Sequence, residues 1–287
     1  MEKQTRQLPR GVIPTGGILE EIVRARAVRV EESKRARPLE AVAAPPRIKD
    51  AAARPRPFRE ALSREGRVNV IAEIKRRSPS KGIIREDFDH LSIARSYERA
   101  GAAAISVLTE EDFFAGSLSY LRDIREESQT PLLRKDFVFD EYQVYEAREA
   151  GAAAVLLIAA ILDDEFLSRL LKLADEIGLD SLVEVHTGEE MRRAARSGAR
   201  IIGVNNRNLA TFGVDMETSL RLARLAPASA TLVSESGINT GEDVRKLMGA
   251  GFKGFLIGER LMRDPDPGEG LRRIISEAEN REALNEL

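Results

Sequence analysis

The chain has 287 residues, enough for one sizeable hydrophobic core. Its formal net charge of −2 gives no general attraction to nucleic acid or to anionic membranes, and we expect neither as a partner. There is no cysteine, which excludes a thiol nucleophile, a disulfide and a thiolate metal site.

Two further features narrow the class of protein. Only two histidines occur, His90 and His186, so a histidine metal cluster is not expected, and we interpret His186 as a structural loop residue. The sequence has no apolar run of about 18 residues and no secretory signal at its start, which predicts a cytoplasmic protein.

The first 65 residues are predicted to be an N-terminal extension. Residues 17–30 have apolar side chains at the spacing of an amphipathic helix. Residues 37–57 contain five of the twelve prolines, which predicts a connecting segment, and residues 58–62 are predicted to add a short helix. One helix and a proline-rich tract cannot build a core, so we place a single structural domain at 66–287, preceded by the extension 1–65.

From residue 66 onward, apolar strand patterns alternate with helical patterns. The predicted strands are 69–75, 103–108, 130–135, 153–158, 180–185, 200–204, 231–234 and 253–257. The predicted helices between and after them are 88–100, 117–127, 140–150, 163–177, 187–197, 217–225, 240–249 and 268–279. Such alternation indicates a parallel sheet.

Eight strand–helix units suggest that the sheet closes into a (βα)8 TIM barrel of the α/β class. A weak repeat supports this, because a small residue and a glycine precede an apolar strand at 100–108, 150–158, 197–205 and 250–258. The alternative is an open doubly wound sheet, but no G-x-G-x-x-G follows the first strand.

The first strand carries two charges in an apolar run. Glu73 and Lys75 are two residues apart and therefore share one face of the strand. Burying them is unfavourable unless they are paired, so they form either a buried ion pair in the core or an acid–base pair in an active site. The Ser-Pro-Ser-Lys-Gly loop that follows favours the second interpretation.

Other charged residues lie at the carboxyl ends of further predicted strands, where barrel active sites lie. Lys135 ends the third strand and Glu184 the fifth, and together with the first-strand pair they would crowd one barrel mouth. Only nine of the 45 basic residues are lysines, and lysine differs from arginine in that burial and nearby cations can lower its pKa. We therefore expect a general acid and a general base here.

The last two strands have a different signal. Ser236-Gly237 and Gly258-Glu259 follow the seventh and eighth strands, and a short extra helix is expected after Gly258. Backbone N–H groups at these positions of a barrel commonly bind phosphate. Each glycine taken alone would be an ordinary turn residue.

Seven segments closely resemble the indole-3-glycerol-phosphate synthase family, in the family's order. They are AEIKRRSPSKG (72–82), SVLTEEDFFAGS (106–117), LRKDF (133–137), LVEVH (182–186), IGVNNRNL (202–209), VSESGI (233–238) and LIGERLM (256–262). The resemblance runs from about residue 17 to residue 265, and the only departures are minor, such as Asn208 in place of a common Asp.

The resemblance implies a decarboxylating, ring-closing lyase of tryptophan biosynthesis. It implies a phosphorylated small-molecule substrate, 1-(2-carboxyphenylamino)-1-deoxyribulose 5-phosphate, and no cofactor or metal. The family's catalytic residues correspond to Glu73, Lys75, Lys135, Glu184, Asn205 and Ser236. Its phosphate contacts correspond to Lys75, Ser236, Gly237, Gly258 and Glu259.

The resemblance also suggests the remaining substrate contacts. Ser78 corresponds to a residue near the substrate carboxylate and Arg207 to a supporting cation. An apolar slot for the aromatic ring would be formed by residues that could equally be ordinary core: Phe114, Phe137, Leu156 and Leu209. Lys135 is our choice of general acid for ring closure, and which lysine donates in each step stays open.

Rival functions are other phosphosugar barrel enzymes, such as phosphoribosylanthranilate isomerase or the tryptophan synthase α subunit, and a barrel that only binds a phosphorylated ligand. The enzymes would lack both the N-terminal helix and the Glu73-containing segment. The expected assembly is a monomer or a weak homodimer.

Overall fold

The computed structural model describes residues 7–43 and 57–280, and its centre is a closed barrel of eight parallel strands. In chain order the strands are β1 (Asn69–Ile74), β2 (Arg77–Ser78), β3 (Gly82–Ile83), β4 (Ala104–Leu108), β5 (Leu132–Lys135), β6 (Ala154–Ile158), β7 (Asp180–Val185), β8 (Ile201–Asn205), β9 (Thr231–Glu235) and β10 (Gly254–Ile257). Strand β10 pairs with β1 and closes the cylinder, while β2 and β3 form a separate two-stranded hairpin. The predicted TIM barrel is confirmed, and the open sheet is excluded.

Helices alternate with the barrel strands as predicted. They are α1 (Gly17–Ala36), α2 (Leu39–Val42), α3 (Pro57–Leu62), α4 (His90–Arg99), α5 (Leu118–Glu127), α6 (Glu141–Glu149), α7 (Asp164–Glu176), α8 (Gly188–Arg196), α9 (Glu217–Ala223), α10 (Gly241–Gly249), α11 (Glu259–Met262) and α12 (Pro267–Glu279). The short helix expected after Gly258 is α11. The hairpin of β2 and β3 lies in a loop for which the sequence pattern predicted no strand.

The internal repeat has a structural cause. Gly101, Gly151, Gly198 and Gly251 each follow a helix with φ between 80° and 97°, in the left-handed region that favours glycine. This conformation ends the helix and turns the chain into β4, β6, β8 or β10, which are the second, fourth, sixth and eighth barrel strands. The predicted repeat is therefore a repeated helix-to-strand turn.

Helix α1 covers the barrel at the end where the strands terminate. Its buried apolar side chains are Leu19, Ile22, Val23 and Val30, which matches most of the predicted apolar face. Arg26 is also buried, and its guanidinium lies 2.6 Å from Glu111 and 2.9 Å from Asp136. Ionic contacts therefore fix the helix to the segments that follow β4 and β5.

The structure does not test two of the predictions about the N-terminal extension. The predicted proline-rich connection falls largely on residues 44–56, which lie outside the described residues. The boundary between an extension at 1–65 and a domain at 66–287 stays a prediction.

Among the helices of residues 7–43 and 57–280, none combines the length and the apolar character that a membrane crossing requires.

Candidate active site

A cavity of about 580 Å³ opens at the carboxyl ends of the barrel strands. The structure places nearly all of the candidate site residues in its wall: Glu73, Lys75, Phe114, Lys135, Phe137, Leu156, Glu184, Asn205, Arg207, Leu209, Ser236, Gly237, Gly258 and Glu259. Ser78 lines an adjoining cavity of about 100 Å³, whose wall includes residues of α1 and shares Lys75, Phe114 and Phe137 with the main cavity. The candidate residues predicted from the sequence therefore lie close together in the folded chain.

Lys135, the last residue of β5, lines the cavity. Its Nζ lies 3.1 Å from Oε2 of Glu184 and 3.5 Å from Oε2 of Glu235. Burial alone would lower the pKa of Lys135, but the charges of Glu184, Glu235 and Glu73 outweigh burial and raise this pKa well above its usual value. The expectation of a lowered lysine pKa is wrong here, because carboxylates and not cations surround the amine. Lys135 is an ammonium ion at neutral pH.

Glu235 belongs to the same cluster, although the sequence analysis left it out of the candidate site. It is 1% exposed, and neither carboxyl oxygen has a hydrogen-bond partner among the described residues. Burial, reinforced by the charges of Glu184 and Glu73, raises the pKa of Glu235 to about 8 despite the attraction of Lys135. The sequence did contain a signal for Glu235, because this residue lies at the carboxyl end of an apolar strand, as Glu184 does.

The neighbouring strands leave room for this carboxyl group. Asn205 and Glu235 are register partners on β8 and β9. Two residues earlier on β8, a Cβ on Gly203 would lie 2.1 Å from Oε1 of Glu235. Glycine at position 203 is therefore required for Glu235 to occupy its place at the cavity floor.

Glu184 is held ionised by its surroundings. Burial would raise the pKa of Glu184, but Lys135 and His186, together with a hydrogen bond from Asn205, lower it below the usual value. The cluster thus contains one carboxyl group with a lowered pKa and one with a raised pKa. Such a separation of neighbouring acids is typical of sites that carry out general acid–base chemistry.

Glu73 and Lys75 form the ion pair that their spacing predicted, and they also line the cavity. Nζ of Lys75 lies 2.5 Å from Oε1 of Glu73, and the Glu73 side chain is 5% exposed. The carboxyl group of Glu73 lies against Gly258, where a Cβ would be 2.2 Å from Oε1. Gly258 therefore has a steric role in addition to its suggested place near phosphate.

The ends of β9 and β10 supply backbone N–H groups and cations. Ser236 and Gly237 have φ values of 66° and 83°, two consecutive residues in the left-handed region. The amide of Asn206 fixes this turn by donating a hydrogen bond of 3.0 Å to the carbonyl of Ser236. Lys81 and Arg260 also line the cavity. Successive N–H groups in such a turn, together with nearby cations, suit an anion.

The side chain of Glu259 is held by cations, as its place beside an anion site requires. Its carboxylate lies 3.3 Å from Arg207 and 3.2 Å from Arg263. Arg207 additionally donates from its backbone to the side chain of Asn205. These contacts leave the N–H of Glu259 as the group that it can offer to an anion.

The opposite side of the cavity is apolar. The ring centroids of Phe114 and Phe137 lie 5.9 Å apart, and the two ring planes are tilted by 39° relative to each other. Leu19 and Ile22 of α1 close the smaller cavity above these rings, next to Ser78. The hydroxyl of Ser78 is buried and has no hydrogen-bond partner among the described residues, so it is available to a polar group of a ligand.

Comparison with known proteins identifies the family. The family model described as "Indole-3-glycerol phosphate synthase" matches residues 19–274. The chain belongs to the indole-3-glycerol phosphate synthase family. It is therefore an enzyme, a lyase of tryptophan biosynthesis.

Individual relatives of the chain have the same name as the family. The chain is 46% identical over 262 residues to indole-3-glycerol phosphate synthase of Carboxydothermus hydrogenoformans, covering 90% of this chain and 99% of the relative. It is 54% identical over 206 residues to the synthase of Lachnoclostridium phytofermentans, covering 72% and 76%. The solved 3-hexulose-6-phosphate synthase of Salmonella typhimurium is 14% identical with a TM-score of 0.60, over 73% of this chain and 97% of that one, and shares the fold.

Proposed function

We propose that this chain converts 1-(2-carboxyphenylamino)-1-deoxyribulose 5-phosphate to indole-3-glycerol phosphate by Lys/Glu general acid–base catalysis. The observation that carries the proposal is the position of Lys135, an ammonium ion between Glu184 and Glu235 at the cavity floor. On one side of it lie apolar side chains and on the other an anion-binding turn. The substrate has the same layout, with an aromatic ring at one end, a ketone in the middle and a phosphate at the other end.

Substrate binding uses the two sides of the cavity. The aromatic ring packs between Phe114 and Phe137, with Leu156 and Leu209 beside them, and its carboxylate faces the free hydroxyl of Ser78. The phosphate accepts hydrogen bonds from the N–H groups of residues 236, 237, 258 and 259, with Lys75 and Arg207 as nearby cations. Both ends are thereby fixed, which places the ketone over Lys135.

Ring closure requires a proton at the ketone oxygen. The ring carbon that bears the carboxylate attacks the ketone carbon, and the ammonium of Lys135 transfers a proton to the developing alkoxide. Loss of CO₂ returns the electron pair of the broken carbon–carbon bond to the ring and restores its aromaticity. The cluster favours this transfer only when the ketone oxygen replaces one carboxylate contact of Lys135, because those contacts raise its pKa.

Dehydration completes the reaction. The hydroxyl group formed in the first step takes a proton from the ammonium of Lys75, or of Lys135 after solvent has protonated it again, and leaves as water. The ring system is then cationic until it loses a proton. Glu184 is ionised and lies beside this centre, so it stabilises the positive charge and accepts that proton. Glu73 orients Lys75 through their ion pair, and Asn205 orients Glu184. No step needs a cofactor or a metal ion.

Purified protein tests the proposal directly. Incubation with the substrate is expected to produce the fluorescence of an indole, and absence of product would overturn the proposal in favour of the isomerase, α-subunit or binding-only alternatives. Lys135→Met is expected to lower kcat by at least about 100-fold, the low end for a general acid, with folding retained. Lys253→Met is the matched control, because Lys253 is exposed just before β10 at the opposite end of the barrel. Equal turnover by Lys135→Met and wild type would remove Lys135 from its role.

Cellular location and assembly belong to the same proposal. We infer a cytoplasmic enzyme, monomeric or weakly dimeric, that acts on a small phosphorylated substrate. Fractionation and sedimentation velocity at micromolar concentration are the measurements that check these two points.

A further inference from the structure

His186 lies directly behind the carboxylate of Glu184. Its Nε2 is buried and lies 3.5 Å from Oε1 of Glu184, the oxygen that does not contact Lys135. The side chain is 14% exposed, so water reaches it only partly. The two residues are two positions apart at the end of β7, and a strand directs such side chains to the same face.

The other ring nitrogen of His186 faces a second carboxylate. Nδ1 lies 3.4 Å from Oε2 of Glu190, on the first turn of α8. The same oxygen accepts a hydrogen bond of 2.7 Å from the backbone N–H of His186, and the other oxygen accepts one of 3.1 Å from Thr187. Glu190 is thus fixed by three contacts at the helix start and holds the imidazole in one orientation.

A carboxylate faces each ring nitrogen, with a hydrogen bond at Nδ1 and an ionic contact of 3.5 Å without a hydrogen bond at Nε2. A neutral imidazole has one N–H, so it can satisfy only one carboxylate, whereas the imidazolium has one on each ring nitrogen. The ionisable groups facing His186 are Glu184 on β7, Glu190 on α8 and Glu235 on β9. Burial disfavours the charged ring, but Glu190 and Glu184 outweigh burial, and the pKa of His186 is raised above its usual value.

We propose that His186 is a positioning residue for the reaction, whose imidazolium, braced by Glu190, fixes the orientation and the negative charge of Glu184. The result is a line of alternating charges, from Glu190 through His186 and Glu184 to Lys135. The ring does not reach the substrate cavity, since His186 is absent from the residues that line it. It acts through Glu184, and the proposal rests on the proposed function for the role of that carboxylate.

The two histidines of the chain permit a test that does not depend on turnover. His90 lies on α4 beside Asp123, in another part of the barrel, so His90→Asn leaves His186 as the single imidazole of the full-length protein. NMR titration of that imidazole is expected to give a pKa above about 6.5, the unperturbed value. Adding Glu190→Gln is expected to lower it by about one unit, because one of the two carboxylate partners is neutralised. A pKa at or below the unperturbed value, or no response to Glu190→Gln, would overturn the proposal.

Kinetics tests the consequence for catalysis. In His186→Asn, the cation beside Glu184 is gone, so the acid limb of kcat/KM is expected to move to higher pH by about one unit. At alkaline pH the wild-type imidazole is itself neutral, so the two rates are expected to converge. A rate lowered equally at every pH, or an unchanged profile, would show that His186 has only a structural role or none. His90→Asn is the control and is expected to follow the wild-type profile.

These experiments distinguish failure of the proposed function from failure of the positioning role of His186. If the wild-type protein gives no product with the substrate, the proposed function fails while the NMR arm still reports whether His186 is clamped as an imidazolium. If the wild type turns over and the His186→Asn profile stays in place, the positioning role fails and the proposed function stands.

Discussion

Replacement of Glu235 by glutamine is expected to make the protein more stable, by an amount that grows as the pH rises from about 4.5 to about 8. Glu235 is fully buried, neither of its oxygens has a hydrogen-bond partner within residues 7–43 and 57–280, and its pKa is about 8 against 4.5 for a free side chain. Because the folded-state pKa is the higher one, its bound proton stabilises the fold below the unfolded value. That contribution is lost progressively as the pH rises from about 4.5 and is gone above about 8.

The magnitude follows from the two pKa values. One pKa unit corresponds to about 1.4 kcal/mol, so the interval between 4.5 and about 8 corresponds to about 5 kcal/mol at most. Glutamine has nearly the same shape and no titratable proton. We therefore expect wild type and Glu235→Gln to differ little at about pH 5, and the variant to gain about 3 to 5 kcal/mol at about pH 8.5.

Chemical denaturation at the two pH values measures this difference. The pKa of His186 is also raised, and the comparison of variant with wild type at each pH removes most of its contribution. Glu126→Gln on the exposed side of α5 is the matched control and is expected to show the same offset at both pH values. Equal effects of Glu235→Gln at acid and alkaline pH would refute the argument that Glu235 is protonated in the folded protein.

Two further substitutions test particular contacts. Arg26→Met is expected to lower the free energy of unfolding by about 3 kcal/mol, because it removes one cation from the fully buried carboxylate of Asp136. Arg29→Met, at an exposed pair, is the control and should change it little in the same denaturation experiment. Gly258→Ala is expected to lower kcat at least about tenfold by displacing Glu73, whereas Gly249→Ala, with open space around it, should keep wild-type turnover. Unchanged turnover of Gly258→Ala would contradict the steric role of that glycine.

The cluster of acids has a consequence for how the lysine functions. The charges of Glu184, Glu73 and, in its ionised form, Glu235 oppose the release of the Lys135 proton, and Glu235, with a pKa of about 8, is mostly protonated near neutral pH. A neutral Glu235 reduces the negative charge around Lys135 and so favours proton transfer from it. The charge state of Glu235 therefore couples the stability of the fold to the acid strength of the proposed general acid.

The sequence by itself determined the architecture and most of the residues that line the cavity. Alternating periodicities of two and 3.6 residues, with glycine ending each second helix, are local properties that a strand–helix repeat requires. Parallel strands in a barrel all end at one rim, so charged residues at strand ends such as Lys135 and Glu184 could be assigned to one site without coordinates.

The tertiary structure decided the electrostatics. The pKa of Lys135 depends on which groups lie within a few ångströms, and these come from β1, β7 and β9, which are distant in sequence. For the same reason the periodicity could not show that Arg26 is buried against Asp136, nor that His186 lies between two carboxylates. Patterns along a chain report burial and direction, whereas charge interactions depend on distances that only the closed barrel sets.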